Sequence, residues 1–213
     1  MPTDSPSKTE PGHRRRRAPR TAPGVRREHL LDVAESILGS QGSDAVRMDH
    51  VARTAGVTRP VVYEHFSNRD ELIIALLERH GDRLRENELS EPIGRASFPE
   101  FLGRATRAYL HTALQHGPAM RALVSGERLS PAIELTRRRV WDSGASRWAG
   151  LYGTHFNLPP KSAMALAVSH LAGLSALAAL CMDGALDVDD AIELHVTSSL
   201  GALAAVSEEL TQQ

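Results

Sequence analysis

The sequence predicts an all-α protein, and three observations carry that prediction. Apolar residues recur every three or four positions along most of the 213-residue chain, the spacing that puts them on one face of a helix. Its 41% hydrophobic content is drawn mainly from Ala, Leu and Val, with aromatics at only 4%, which suits helices packing through small side chains better than sheets. Helix start and stop signals punctuate the chain, and every strong local signal is helical.

The first helix is predicted from Val25 to Gln41, with Leu30, Val33, Ala34, Ile37 and Leu38 on one face. Gly42 ends it, because a left-handed C-terminal position favours glycine. Met48 to Ala55 and Thr58 to Phe66 follow as two short helices separated only by Gly56 and Val57. A fourth runs from Arg69 to about Asn87, entered through Ser67 and Asn68, with Leu72, Ile73, Leu76 and Leu77 inward. After a loop with Pro92 and Gly94, Ser97 and Glu100 form a capping box with Pro99 in the first turn, opening a helix to about Gln115. Gly117 and Pro118 are expected to break the chain there, leaving a short helix to about Val124. Ser130 and Pro131 start the next, to about Tyr152, with Gly144 weakening its middle. Pro159 and Pro160 start a long apolar helix to about Met182, and Asp187 caps the last, to about Glu209. Nine helices result, with no internal repeat.

Composition narrows the function classes. The single cysteine, Cys181, excludes an intramolecular disulfide framework and a cysteine-rich zinc module, so a reducing, cytoplasmic setting is expected. No apolar run of about 18 residues is free of polar groups, and the N-terminus has no hydrophobic signal segment, so no membrane partner is expected. Overall charge is near neutral, but its distribution is uneven. From Lys8 to Arg69 there are 12 basic against 7 acidic residues, and from Leu76 onward 13 against 16. A basic front and mildly acidic rear is the asymmetry of a protein that turns one part toward a phosphate backbone.

Three parts are expected. Residues 1–23 form a disordered tail rich in Pro, Ser and Arg, whose run from His13 to Arg20 is suited either to solvation or to tracking phosphates as a flexible arm. Residues 24–68 form a three-helix unit, and 69–213 a larger helical body.

The informative stretch runs from Val51 to Val62. A helix-turn-helix needs a small residue where its two helices cross, a residue tolerating positive φ in the turn, and a branched apolar residue between the helices. Ala52, Gly56 and Val62 supply them at the right spacing. On these residues, and on Met48, Val51, Ala55, Val57, Thr58, Tyr63, His65, Phe66 and Leu72, the segment Arg27 to Leu72 resembles the DNA-binding domain of TetR-type repressors. Beyond that segment the resemblance extends only to helix layout and length.

The resemblance implies a TetR-like architecture and a set of roles. Thr58 would cap the recognition helix and touch phosphate, Arg59 and Val61 would face the major groove, and Tyr63 and His65 would reach the backbone. Arg69, where the family usually has Lys, would add a charged contact. Two departures stand out. Pro60 replaces the small residue frequent in the family and presents a rigid apolar surface to the bases. Arg47 stands where Thr or Ser usually caps the second helix, exchanging a cap for a cationic phosphate contact. Phe66 is read as closing the small core, and His65 has an exposed polar role as its alternative.

The last two helices are too apolar for a monomer's surface, so a four-helix homodimer interface is expected, with a plain buried core as the alternative. A small-molecule effector would lie among the central helices, with Tyr109, His111, Met120, Trp141, Trp148 and His170 as candidate lining residues. Ordinary core packing is the alternative for each. Ten histidines invite a metal reading, but His111 and His116 fall on different helical faces and no HExxH or paired cysteine accompanies them. Neither a metal nor a cofactor is expected. An enzyme is disfavoured, since there is no phosphate loop, nucleophile elbow or convincing carboxylate pair. The expected function is a DNA-binding regulator released from a palindromic operator by ligand. The alternative is a helical adaptor or ligand-binding protein without specific DNA binding.

Overall fold

A computed structural model describes residues 23–88, 97–125 and 129–211. These residues contain no strand. They form α1 (Pro23–Gln41), α2 (Met48–Thr54), α3 (Arg59–Tyr63), α4 (Arg69–Glu88), α5 (Phe98–Ser125), α6 (Pro131–Phe156), α7 (Pro160–Met182) and α8 (Val188–Thr211), with a 3-10 turn at Ser43–Ala45. The expected arm from His13 to Arg20 and the loop at Pro92 and Gly94 lie outside the described residues.

Most boundaries follow local chemistry. Gly42 leaves α1 at φ 81°, its N–H donating to the Leu38 carbonyl. At the entry to α4, the Asn68 carboxamide oxygen accepts from the Glu71 N–H at 2.9 Å, and the Glu71 carboxylate accepts from the Ser67 N–H at 2.7 Å. Glu100 likewise accepts from the N–H and hydroxyl of Ser97. Ser130 receives the Ile133 N–H, and Asp187 receives that of Asp189. The first helix starts at Pro23, earlier than expected, because proline lacks only a donor that a first turn leaves free anyway.

The break expected at Gly117–Pro118 does not occur, so eight α-helices stand where nine were expected. Pro118 removes one backbone donor, yet α5 is held along its length by α1, α4, α7 and α8. Gly117 serves that packing: a Cβ there would meet the Met182 sulfur at 2.8 Å. Tertiary burial outweighs the local preference.

Two large cores result. One joins Leu30, Leu31, Ala34, Ile37 and Leu38 of α1 to Val51, Ala52, Val62 and Phe66, and continues through Leu72, Ile73, Leu76 and Leu77 to Ala119 and Ile133. The expected division at 68–69 is therefore crossed by continuous packing. In the other, Phe101, Trp148, Tyr152 and Leu158 pack on Ala163, Ala167 and Leu171.

His170 and His195 are buried at the edge of this second core, with His195 Nε2 and His170 Nδ1 sharing a hydrogen bond at 3.0 Å. His170 also stacks on Trp148 with centroids 4.1 Å apart. Burial, together with its neighbour, pushes His170 down to about 3, and burial pushes His195 down to about 4. Both rings are neutral in the folded state at pH values where the unfolded chain, with its ordinary histidines, already takes up protons. Stability is thus fully present above about pH 6.5 and is lost as pH falls toward 4, by up to about 1.4 kcal/mol per pH unit per histidine. Thermal unfolding from pH 8 to 4 should show this slope, reduced in a His170→Gln/His195→Gln variant; a melting temperature flat between pH 7 and 5 would contradict it.

Candidate nucleic-acid interface

The short helix α3 is fixed from one side only. Val62 is fully buried and the following Phe66 nearly so, while Thr58, Arg59 and Pro60 are exposed and Tyr63 is 45% exposed. Gly56, at φ 66°, lets the chain reverse between α2 and α3, and its neighbour Val57 donates its N–H to the Ala52 carbonyl at 3.0 Å. The first turn of α3 consequently projects from a compact unit whose inner face is locked.

Thr58 occupies the N-cap with extended backbone, but its side chain makes no capping bond, contrary to the role expected for it. Pro60 has no N–H to offer, and the Val61 N–H goes to the Thr58 carbonyl at 3.0 Å. Arg59 Nη2 donates to the Tyr63 hydroxyl at 3.5 Å, with the guanidinium 5.9 Å from the ring centre. Val61 and His65 are half-buried, and His65 sits in the turn beyond α3. Arg47 is exposed at the uncapped start of α2.

Arg69 is placed differently from the expectation of a charged outward contact. Its Nε donates to the Val46 carbonyl at 2.9 Å and its Nη2 to the Ser43 carbonyl at 2.8 Å. The Ser43 carbonyl also accepts the Val46 N–H at 3.1 Å, so the planar guanidinium adds a second donor there while reaching Val46, where a lysine would satisfy one carbonyl.

A residue that the sequence reading passed over is Asp49. Its carboxylate lies 3.7 Å from Arg47 Nε and 3.4 Å from Arg53 Nη1. Partial desolvation works against its charge, but its own backbone N–H and the guanidiniums of Arg47, Arg53 and Arg59 together hold the carboxyl below its usual range. The (i, i+4) spacing of Asp49 and Arg53 was legible; that Arg47 and Arg59 converge on the same acid depends on the turn.

This geometry has counterparts among known proteins. Residues 30–76 match the model described as bacterial regulatory proteins, tetR family. Over that segment the chain is similar to the TetR family. It is 44% identical over 69 residues to the HTH-type transcriptional activator FasR of Mycolicibacterium smegmatis, a match covering 32% of each chain. It is 25% identical over 145 residues to the class D tetracycline repressor protein of Escherichia coli, covering 63% of this chain and 64% of that one. The matched segment thus spans about a third of the length of the first relative and less than two thirds of the second. A TetR-family transcriptional regulator from Streptomyces coelicolor superposes with a TM-score of 0.69 at 25% identity, covering 88% of this chain and 83% of that one.

Behind the unit formed by α1 to α3, α4 has two distinct faces. On one, Arg79 reaches Glu28, Asp32 and Glu35 of α1, and Arg83 donates to Glu35 at 2.9 Å. His116 of α5 closes the cluster, its Nδ1 2.8 Å from Glu35. Burial opposes charge on Glu35, but Arg83, Arg79 and His116 outweigh it and hold its carboxyl low. On the other face, α4 walls a cavity of about 500 Å³ that it shares with α5, α6 and α7. Of the expected lining residues, Tyr109 and Trp141 border it. Trp148 is instead buried against Phe101 and Tyr152, His170 faces a smaller hollow between α7 and α8, and His111 is exposed on α5. The Met120 side chain lies outside the described residues. Trp148 and His170 are buried where α7, rich in alanine, packs on α6.

Replacing Glu35 with Gln removes the most buried of the three acids that Arg79 reaches, and leaves Arg79, whose side chain is only 12% exposed, to the more exposed Glu28 and Asp32. Breaking such a largely buried pair should cost about 1–3 kcal/mol by urea unfolding, less than a fully buried pair because Arg83 and His116 retain solvent. A loss below about 0.5 kcal/mol, the scale of an exposed ion pair, would show that the cluster does not hold α1 to α4.

Proposed function

We propose that the chain is a DNA-binding transcriptional regulator, acting as a homodimer on a palindromic operator in the cytoplasm and released by a small-molecule effector. The observation that supports this most is the exposed first turn of α3 above a fully buried Val62. Arg59, Pro60 and Val61 face the base edges in this reading. Thr58, with its hydroxyl uncommitted to a cap, joins Arg47, Tyr63 and His65 on the phosphates. Arg69 acts from within, holding the α1–α2 segment.

A dimer follows from what α7 and α8 leave uncovered. Met164, Val168, Ala172, Ala176 and Leu180 recur every four residues along the exposed side of α7, and Leu194 is 56% exposed on α8 beside Gly201, Ala202 and Ala205. By length and composition alone α7 could also cross a membrane. Its other face, however, packs into the core of Phe101, Trp148 and Tyr152 and into a smaller cluster of Leu110, Ala178 and Ile192, and small residues along the exposed stripe allow close approach of a second copy. Two copies present two α3 helices, as a two-fold operator requires. The effector occupies the cavity beside α4, and it acts by favouring an α4 position that moves α1 and the reading head with it.

A footprint on DNA flanking the chain's own gene, at fixed salt, tests the reading. Arg59→Ala and Tyr63→Ala should abolish specific protection while leaving fold and dimer intact. Unchanged protection by both would favour a helical adaptor. Asp49→Asn should strengthen binding to any DNA a few-fold and steepen the salt dependence by about one charge equivalent, because a carboxylate no longer competes with phosphate for Arg47 and Arg53.

A further inference from the structure

One residue that lines the cavity beside α4 carries a polar atom that no described residue satisfies. His80 lines the cavity, and its buried Nδ1 has no hydrogen-bond partner among the described residues. Three hydroxyls on the walls, by contrast, are met internally. The Tyr109 and Ser175 hydroxyls bond each other at 3.0 Å, and Thr136 donates to the Ala132 carbonyl at 3.1 Å. An unmet buried nitrogen is destabilising until something pairs with it, so an occupant that does so is favoured over one that does not.

The walls also have a charge preference. Arg85, Arg137, Arg139 and Arg147 line the cavity against two acids, Glu78 and Asp82; Arg85 is paired with Asp82 and Arg137 with Glu134, and Arg139 and Arg147 together outnumber Glu78. Burial, reinforced by His116 and Arg83 and opposed by Glu35, pushes the His80 imidazole down to about 4, so the empty site holds it neutral. The remaining surface, from Leu84, Val140, Trp141 and Leu171, is apolar.

Resting on the reading of this cavity as an effector site, we propose that its occupant is an amphipathic carboxylate: the acidic group accepts a hydrogen bond from His80, and an apolar ring-bearing body packs on Leu84, Val140, Trp141 and Leu171. A carboxylate favours the Nδ1–H form of the ring and its protonated form alike, so binding raises the His80 pKa. An alcohol offers an acceptor without the charge, and a cation meets an arginine-rich wall with nothing to accept from His80. The position of the anchor gives the occupant leverage. His80 stands between Arg79 and Arg83, so whatever holds it acts on the turn of α4 that grips Glu35.

Isothermal titration of the full chain with 4-butylbenzoate, 4-butylbenzyl alcohol and 4-butylbenzyltrimethylammonium tests this. The benzoate should bind about tenfold or more tightly than either analogue, as a charge-assisted contact requires. His80→Leu should bring the benzoate down to the level of the alcohol while leaving the alcohol little changed. His80→Gln, which keeps a donor in a similar volume, should recover part of the loss. Histidine ¹⁵N resonances should report a rise in the His80 pKa on saturation with benzoate. Equal binding of the alcohol or the ammonium probe, or benzoate affinity unchanged in both variants, overturns the carboxylate anchor and leaves the effector cavity standing. Binding of none of the three overturns the effector reading as well.

Discussion

The reading head of this protein has no core of its own. Leu30, Ile37 and Leu38 of α1 pack with Val62 and Phe66 on one side and with Leu72, Leu76 and Leu77 of α4 on the other, and the same cluster reaches Ala119 of α5 and Ile133 of α6. A unit of α1 to α3 alone would bury too little to stand independently. Sharing the core resolves that deficit and imposes a constraint: α3 cannot be positioned without also positioning α4 and α5. Cation contact strengthens the same joint, with Arg27 lying 5.0 Å over the Phe66 ring.

That constraint gives the polar contacts their meaning. A purely apolar joint tolerates sliding, because its energy depends on area and hardly on register. The Arg79 and Arg83 guanidiniums fix the register by requiring Glu28, Asp32 and Glu35 at particular turns of α1. On the opposite side of α4, Gly81 approaches α6 so closely that a Cβ would meet Val140 at 2.7 Å. Helix α4 is therefore packed in the shared core along one side, held tightly on α6 at Gly81, tied by charge to α1, and bordered along part of its length by open volume. Such an element has two packed positions available more readily than a continuum of them.

Much of this was legible in the sequence, for identifiable reasons. The joint spacing of Ala52, Gly56 and Val62 encodes backbone geometry, and backbone geometry is local. Caps at Ser97, Ser130 and Asp187 and the stop at Gly42 are local as well. What escaped the sequence depends on partners distant along the chain. The helix survives Pro118 because four other helices hold it, and Arg69 turns inward because one guanidinium reaches two carbonyls, 23 and 26 residues away. Trp148 and His170 have the composition of pocket residues but the depth of core residues, and depth is set by how closely alanine lets α7 approach. Conversely, His80 carried no signal at all: one histidine among ten becomes distinctive only when its Nδ1 is seen to be buried and unmet.

The account stands on two copies of α3 presented together at one separation. Cys181 is the only cysteine, so a Cys181→Ser background carrying Glu64→Cys, just beyond α3 and exposed, takes one spin label per chain. Pulsed dipolar spectroscopy on the DNA-bound protein should give a single narrow distance within several ångströms of the ~34–36 Å between successive major grooves on one face of a duplex. The absence of any dipolar coupling, or a distance far from that repeat, would contradict the account.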